Sequence, residues 1–543
     1  MMKKMFKTAA SGTLVTALLT LVLAACTSGE SASTPAASDA GAKSPAAGAS
    51  AAPAGFTYTG KGPITDKTAS LRILSTNAWT NNVDLNQAPI VQEISKRAGI
   101  TVNWELLPPS TYQDAIAPRL AAGSDLPDVI YQLDLDQTMK NIQGGLFKPL
   151  NEYIDKYGVN IKKLFEKYPA LKASLTTPDG KIYYLPQLAV TKNYMPTFMV
   201  NVRWLEKLGL KEPTTLDEFT DMLRKMKAGD PNGNGKADEI PFSVAPNQLG
   251  SAFGPVFGLD LANNFYADKD GKVHYSYYEP NYKEYLTYLN GLYKEGLLES
   301  NFASVTADQI TSKFSQDITG VTFNFSWYTS MVYSKLYKDY DPSKPLIKGI
   351  APFKGPHGDQ FYVGRNPITG IFGISKNAKD PETAFKFLDY ASSDEAKDLY
   401  AWGLEGQTYE VVNGKKQFTE KGKDNDFIQK FGINPTNLPI EQSVEATDVL
   451  VAPWHAKIDK EMEKYIKAPF PFVYALPAEA STENTVMPDI NTYVNEMNIK
   501  FITGKESLDK FDSYIKTLKG MGVEDVVKGR QAQYDRYLAA SKK

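Results

Sequence analysis

Residues 230–239 read DPNGNGKADE. Oxygen-bearing side chains occupy the first, third, fifth, ninth and tenth places: Asp230, Asn232, Asn234, Asp238 and Glu239. Hard cations such as Ca2+ take about six to eight oxygens from carboxylates, amides and backbone carbonyls. Alternate residues of a tight loop can turn such oxygens toward one point, and Gly233 and Gly235 permit the turn. The first half follows the EF-hand order, with glycine at position six and Lys236 offering its carbonyl at position seven. The second half departs from it. Position twelve is Pro241, so the bidentate Glu of that pattern is missing or moved. The reading is a structural Ca2+ site, a staple rather than the work of the protein. The loop offers no general base at an open metal position, and no second loop pairs with it as in a calcium sensor. The plainer alternative is a polar, glycine-rich turn after the helical stretch LDEFTDMLRKMKAG.

A loop of this kind needs a scaffold. The chain has 543 residues, and a single core stops growing at about 250–300, so two or more lobes are expected. Residues 71–75 are a short strand. In APIVQEISKRA (88–98), Ile90, Val91, Ile94 and Ala98 share a helical face. Residues 100–107 alternate like a strand. Ser110 to Gln113 has the form of a capping box opening a helix with Tyr112, Ile116 and Leu120 inward and Gly123 at its end. LPDVIYQL (126–133) is the next strand. Strand, helix, strand, helix, strand implies an α/β body with a parallel sheet, whose ligand sits outside the carboxyl ends of the strands. From about residue 380 helices dominate, and near the end Ile490, Val494 and Met497 line one face.

Composition narrows the partners. Sixty basic and 62 acidic residues leave a net charge of -2, with no electrostatic footprint for nucleic acid. The aromatic share is 12%. Much of it must be core, but a surplus can line a groove for flat apolar faces. The single cysteine is Cys26, so the rest of the chain has no disulfide and no thiolate chemistry.

Residues 1–25 read as a secretory signal peptide, with Lys3, Lys4 and Lys7 ahead of an apolar run. The run ends in Leu23-Ala24-Ala25-Cys26, which looks like a bacterial lipobox, so Cys26 is the expected lipidation site. Residues 26–55 are the lipidated cysteine and an Ala/Ser/Pro-rich linker without the apolar bulk to fold. The expected location is the extracytoplasmic face of the cell membrane, held by a lipid anchor.

Several later stretches occur together and in order: GSDLPDVI (123–130), DGKIYYLP (179–186), NVRWLEKLGLKEPTTLDEF (201–219), ADEIPFS (237–243), SKNAKDPETAFKFLDY (375–390) and WGLEGQTYEVVNGK (402–415). Each is a soft signal alone. Behind a lipobox, the series resembles the extracellular solute-binding proteins of bacterial ABC transporters, family 1, in the branch of large oligosaccharide-binding lipoproteins. The resemblance covers about residue 60 to 540. It implies a two-lobed, type II periplasmic-binding-protein-like α/β fold with ligand between the lobes. By analogy the first lobe holds residues 56–194 and 366–450. The second holds 195–365, with the helical region 451–543 added mainly to it. It implies an oligosaccharide ligand, ABC permease subunits as partners and a monomer. Some polysaccharide-binding members carry a similar calcium loop ending in Asp-Glu.

Sugars present apolar C–H faces and hydroxyl edges, so a cleft for them needs flat aromatics and polar groups. Trp104, inside a strand, and Trp204, at helical spacing, are expected in the core. Trp79 and Trp327 follow strands, and Trp402 sits in a glycine-flanked segment; these are candidate platforms. Trp327 stands where sugar-binding relatives carry a stacking aromatic. Arg365, near the expected second lobe crossing, can fork to hydroxyls or a carboxylate. Tyr131, Asn324 and Glu405 complete the candidate set. For each, packing or a surface ion pair is the competing role.

The rival class is a secreted glycoside hydrolase or polysaccharide lyase, which would also need aromatics, calcium and export. No GxSxG, HExxH or P-loop is present, and His274, His357 and His455 show no ligand spacing. The sequence therefore reads as a binding protein and not an enzyme, with peptides or other solutes as alternative cargo.

Overall fold

The computed structural model describes residues 56–76, 83–132, 138–190, 195–433, 438–439 and 441–542. Cys26 and Trp79 lie outside the described residues. Phe56–Lys543 forms one compact unit.

Two sheets organise it. The first contains β1 (Ser70–Thr76), β2 (Thr101–Leu107), β3 (Val129–Gln132), β4 (Tyr184–Leu188) and β12 (Ile368–Ile374), in the order β2-β1-β3-β12-β4. β1 pairs parallel with β2 and with β3, in the registers Leu71↔Val102 and Ile73↔Val129. β12 enters from the other lobe and runs antiparallel to both β3 and β4. The expected parallel sheet is therefore a mixed one, because a returning strand is inserted in it. The second sheet contains β5 (Pro196–Asn201), β6 (Ile240–Phe242), β9 (Thr319–Phe325) and β10 (Ile347–Ile350), in the order β10-β5-β9-β6.

Local signals explain the elements between. In the helix Pro89–Ala98, Ile90, Val91, Ile94 and Ala98 form the buried stripe. Gly99 closes it at φ 72°, where a side chain would be strained. Ser110 to Gln113 does not act as a capping box. Pro109–Thr111 forms a 3-10 turn, and the N-cap residue Thr111 makes no side-chain cap. Pro109 occupies the first position of that turn, and the Thr111 hydroxyl faces the Pro108 carbonyl at 3.4 Å. Tyr112, Ile116 and Leu120 still point inward.

Each sheet has its own core. In the second, Phe198 stands among Phe353, Phe323, Phe253, Phe219 and Phe242, with ring centroids 4.7–6.0 Å away. Much of the aromatic content goes there. The long helix Pro477–Thr503 buries Met487, Ile490, Val494, Met497 and Phe501 against this core. The Asn290 amide ties its end down, donating to the carbonyls of Phe501 and Ile502 at 3.0 and 3.1 Å. A hairpin of β7 (Phe265–Ala267) and β8 (Val273–Tyr275) joins the same lobe.

The chain passes between the sheets more than once. Two of the passing segments pair as a short parallel ribbon, β11 (Tyr362–Val363) with β15 (Ile466–Lys467). Beyond it, Phe470 packs on the second core while Phe472 and Tyr474 pack on the first. A separate hairpin, β13 (Tyr409–Val412) and β14 (Lys415–Phe418), covers a small cluster around Trp402. Among the described residues, no helix is long and apolar enough to cross a membrane.

Candidate functional site

One polar group lies at the carboxyl ends of β3 and β4, beside the start of β12. The Tyr131 hydroxyl is 3.1 Å from Gln187 Oε1 and 3.3 Å from the Thr369 carbonyl. The Thr369 hydroxyl donates to the same Gln187 oxygen at 3.2 Å. Gln187 is buried, yet its Nε2 has no protein partner. A buried amide nitrogen without an acceptor is costly, and a ligand hydroxyl is the kind of group that satisfies it. Gly370 is required here, since a Cβ would fall 2.2 Å from the Tyr131 ring.

Tyr131 itself does not fit a direct contact role. It is 1% exposed, packs against Phe372 at 4.8 Å, and burial raises its hydroxyl pKa well above the usual range. Its hydroxyl holds the Gln187 oxygen from within the core. The charge of Arg365 opposes that rise.

A second group grows from the end of β9. Phe323 is core, Asn324 and Phe325 are half-buried, and the chain then turns through Ser326 into Trp327 and Tyr328. The Trp327 and Tyr328 rings are 4.0 Å apart, and Tyr328 lies 5.3 Å from Tyr333, which stacks on Phe314 at 4.6 Å. The half-buried Trp327 therefore caps a column of rings rooted in the core, and its Nε1 has no partner. Asn324 sits beside this column, its amide 3.5 Å from the Tyr333 hydroxyl. Arg365 is exposed on the passage from β11 to β12, its guanidinium 5.8 Å from the centre of the Phe325 ring.

Two other candidates lie elsewhere. Trp402 is fully buried and stacked on Phe418 at 4.6 Å, so its ring is spent on packing. Glu405 is exposed in the turn beside it, its backbone bridged to Tyr409. Trp104 and Trp204 are core, and the Trp204 indole donates to Asp317 at 3.1 Å. Gln187, Thr369, Phe325 and Tyr328 were missed by sequence reasoning. The available signals were a lone amide in the apolar run YLPQLAV and a tyrosine directly after Trp327.

The loop 230–239 joins the helix Leu216–Ala228 to β6. Thr215 caps that helix, its hydroxyl accepting from Glu218 N at 3.2 Å. Gly233 and Gly235 both take φ 72°. The two Asp230 oxygens accept from the backbone N–H groups of Asn234 and Gly235 at 3.0 Å each. The Asn232 and Asn234 amides donate to Asp238 at 3.3 and 3.1 Å. Glu239 Oε1 has no partner. Burial, with the Asp238 and Asp230 carboxylates adding to it, holds the Glu239 carboxyl above its usual pKa. Among the described residues, no three His, Cys, Asp or Glu are gathered as a metal cluster. The donors here are instead a mixture of carboxylates, amides and a carbonyl, and that oxygen set, with an orphaned carboxylate oxygen, fits a hard cation.

Residues 82–398 match the model of the bacterial extracellular solute-binding protein family. The chain belongs to this family. It is 26% identical over 517 residues to the fructooligosaccharide ABC transporter substrate-binding protein FusA of Streptococcus pneumoniae, covering 88% of this chain and 92% of FusA. Lipoprotein LipO of Bacillus subtilis is 25% identical, over 83% and 89% of the two chains. Among solved structures, the alginate-binding protein AlgQ2 without calcium ion superposes with TM-score 0.71 at 25% identity, over 87% and 99% of the chains. FusA with kestose gives TM-score 0.70 at 24% identity, and an EF-hand mutant of FusA with fructo-nystose gives 0.69 at 23%, each over 87% of this chain and 99% of its own. The fold of this family is the two-lobed α/β one, and its members here are solute-binding proteins of ABC transporters, not enzymes.

Proposed function

We propose that this chain is the lipid-anchored substrate-binding component of an ABC importer and captures an oligosaccharide between its lobes. The observation that carries the reading is the aromatic column capped by Trp327, with Arg365 beside Phe325 at its base and an orphaned Gln187 amide at the carboxyl ends of β3 and β4. A sugar ring lays its C–H face on the indole and its hydroxyls on Gln187, Asn324 and Arg365. The names of FusA and AlgQ2 point the same way. In this reading the lobes are 56–194 with 366–450, and 195–365 with 451–543. They close around the ligand by a hinge at the β11–β15 ribbon. The loaded, closed form is what two membrane permease subunits recognise. The anchor is the lipidated Cys26, the chain is a monomer, and its place is the outer side of the cell membrane.

Calcium has a supporting role. Asp230, Asn232, Asn234, Asp238 and Glu239 by side chain, and Lys236 by carbonyl, would hold Ca2+ and join helix to sheet edge. When bound, the ion supplies charge neutralisation and rigidity, not chemistry.

The test is thermal unfolding of the body from Phe56 onward, which is one compact unit. Kestose, longer neutral oligosaccharides and oligogalacturonates would be added in turn. A ligand that binds only the folded form raises the midpoint by mass action. One sugar class is expected to raise it and to be recovered intact. A rise with peptides alone would move the assignment to another solute, and a degraded sugar would contradict a binding role.

A further inference from the structure

The turn that carries Trp327 is held from both sides by residues of a distant segment. The helix Pro453–Met462 packs on β10 and begins just after the helix Val444–Leu450. His455 and Asp459, one turn apart on it, are 1% and 3% exposed. Asp459 Oδ2 accepts from His455 Nε2 at 2.9 Å and from the Ser326 hydroxyl at 3.2 Å. His455 Nδ1 lies 2.9 Å from the hydroxyls of both Thr329 and Ser330. Thr329 gives its hydrogen to the Ser326 carbonyl at 2.7 Å. A carboxylate only accepts, so Nε2 carries a hydrogen toward Asp459, while Nδ1 is paired with the Thr329 and Ser330 hydroxyls. Every ring nitrogen is used.

The three tethered residues, Ser326, Thr329 and Ser330, bracket Trp327 and Tyr328. Trp327 Nε1 donates no hydrogen bond that would fix the ring. Their orientation therefore depends on the turn. We infer that His455 and Asp459 are positioning residues for the sugar platform, fixing the angle of the Trp327 ring from outside the cleft. This rests on the reading that Trp327 meets the ligand. A fixed ring does not spend binding energy on ordering itself, so the effect belongs in affinity as well as stability. A purely structural pair would leave the ring where it is.

Fluorotryptophan labelling of the body from Phe56 onward tests this without ligand. The Trp327 resonance, assigned by its loss in Trp327→Phe, is expected to move and broaden in His455→Ala and Ser330→Ala while that of Trp204 stays. Kestose and oligogalacturonate titrations form the second arm. His455→Asn keeps a polar atom near Nδ1 and is expected to retain most of the affinity. His455→Gln keeps only the Asp459 side and is expected to lose about tenfold, the worth of one buried hydrogen bond. An unmoved Trp327 resonance in both His455→Ala and Ser330→Ala would overturn the inference, and Ser330→Ala decides it should His455→Ala not fold. Trp327→Ala separates the two ideas. If it binds as wild type, the platform reading fails; if it loses binding while both His455 variants bind as wild type, only the positioning role fails.

Discussion

Trp327 owes its half-buried position to the residues beneath it. Phe314, Tyr333 and Tyr328 fill the column, so the indole has nowhere further in to go. Truncating a central aromatic contact typically costs about 2 kcal/mol. Trp327→Ala should weaken sugar binding on the order of 30-fold by calorimetry, with a normal unfolding transition. Arg365 acts differently. Its exposed charge should matter for uronates and little for neutral sugars, so Arg365→Gln should weaken oligogalacturonate and spare kestose, most clearly at low salt. An equal loss for both would make Arg365 a hydroxyl ligand alone. At this scale the sequence was only partly legible. Trp327 was visible as an aromatic after a strand. Tyr131 at a strand end and Trp402 in a glycine-flanked segment are buried instead, because burial depends on Gly370 and Phe418, which come near only in the fold.

At the scale of elements, the loop 230–239 decides how the helix Leu216–Ala228 meets the edge strand β6. Glu239 gives it a pH dependence. Its folded pKa is raised, so this carboxyl favours the fold fully below its unfolded value. That contribution is lost as pH rises through the folded value, and the ionised group is then a cost that a cation offsets. The Ca2+-dependent gain in midpoint should therefore be larger at pH 7 than at pH 4.5. Glu239→Gln should shrink that gain and leave the chelated protein no less stable. A chelated midpoint equal to the calcium one at pH 7 would remove the metal from the account. A second element-level joint is Asp389. Its buried carboxylate accepts from the Asn160 and Ile161 N–H groups at 2.9 Å and from the Tyr58 hydroxyl at 2.8 Å. Asp389→Ala strands these donors, and should cost on the order of 3 kcal/mol in chemical denaturation. Helix faces such as Ile90, Val91, Ile94 and Ala98 were readable because period and burial coincide. The capping box at Ser110 was not, because Pro109 started a 3-10 turn first.

For the molecule as a whole, the two sheets explain why a chain with net charge -2 and no disulfide can be a capture device. Stability comes from two large cores, and the β11–β15 ribbon pairs two of the segments that pass between them. The alternation of strands and helices made the α/β class legible early. The antiparallel entry of β12 was not, since nothing local in ITGIFGI says which neighbour it will take. Nor was the tie between Ser330 and His455, 125 positions apart in sequence. Ligand should reduce the radius of gyration in solution scattering, as the lobes close. The most direct measurement is a calorimetric titration of the body from Phe56 onward, wild type and Trp327→Ala, with kestose and oligogalacturonates, followed by chromatography of the sugar. The account predicts saturable one-to-one binding of one sugar class, loss of it in Trp327→Ala, and intact sugar afterwards. Binding that Trp327→Ala leaves unchanged, or no binding of any sugar, would contradict it.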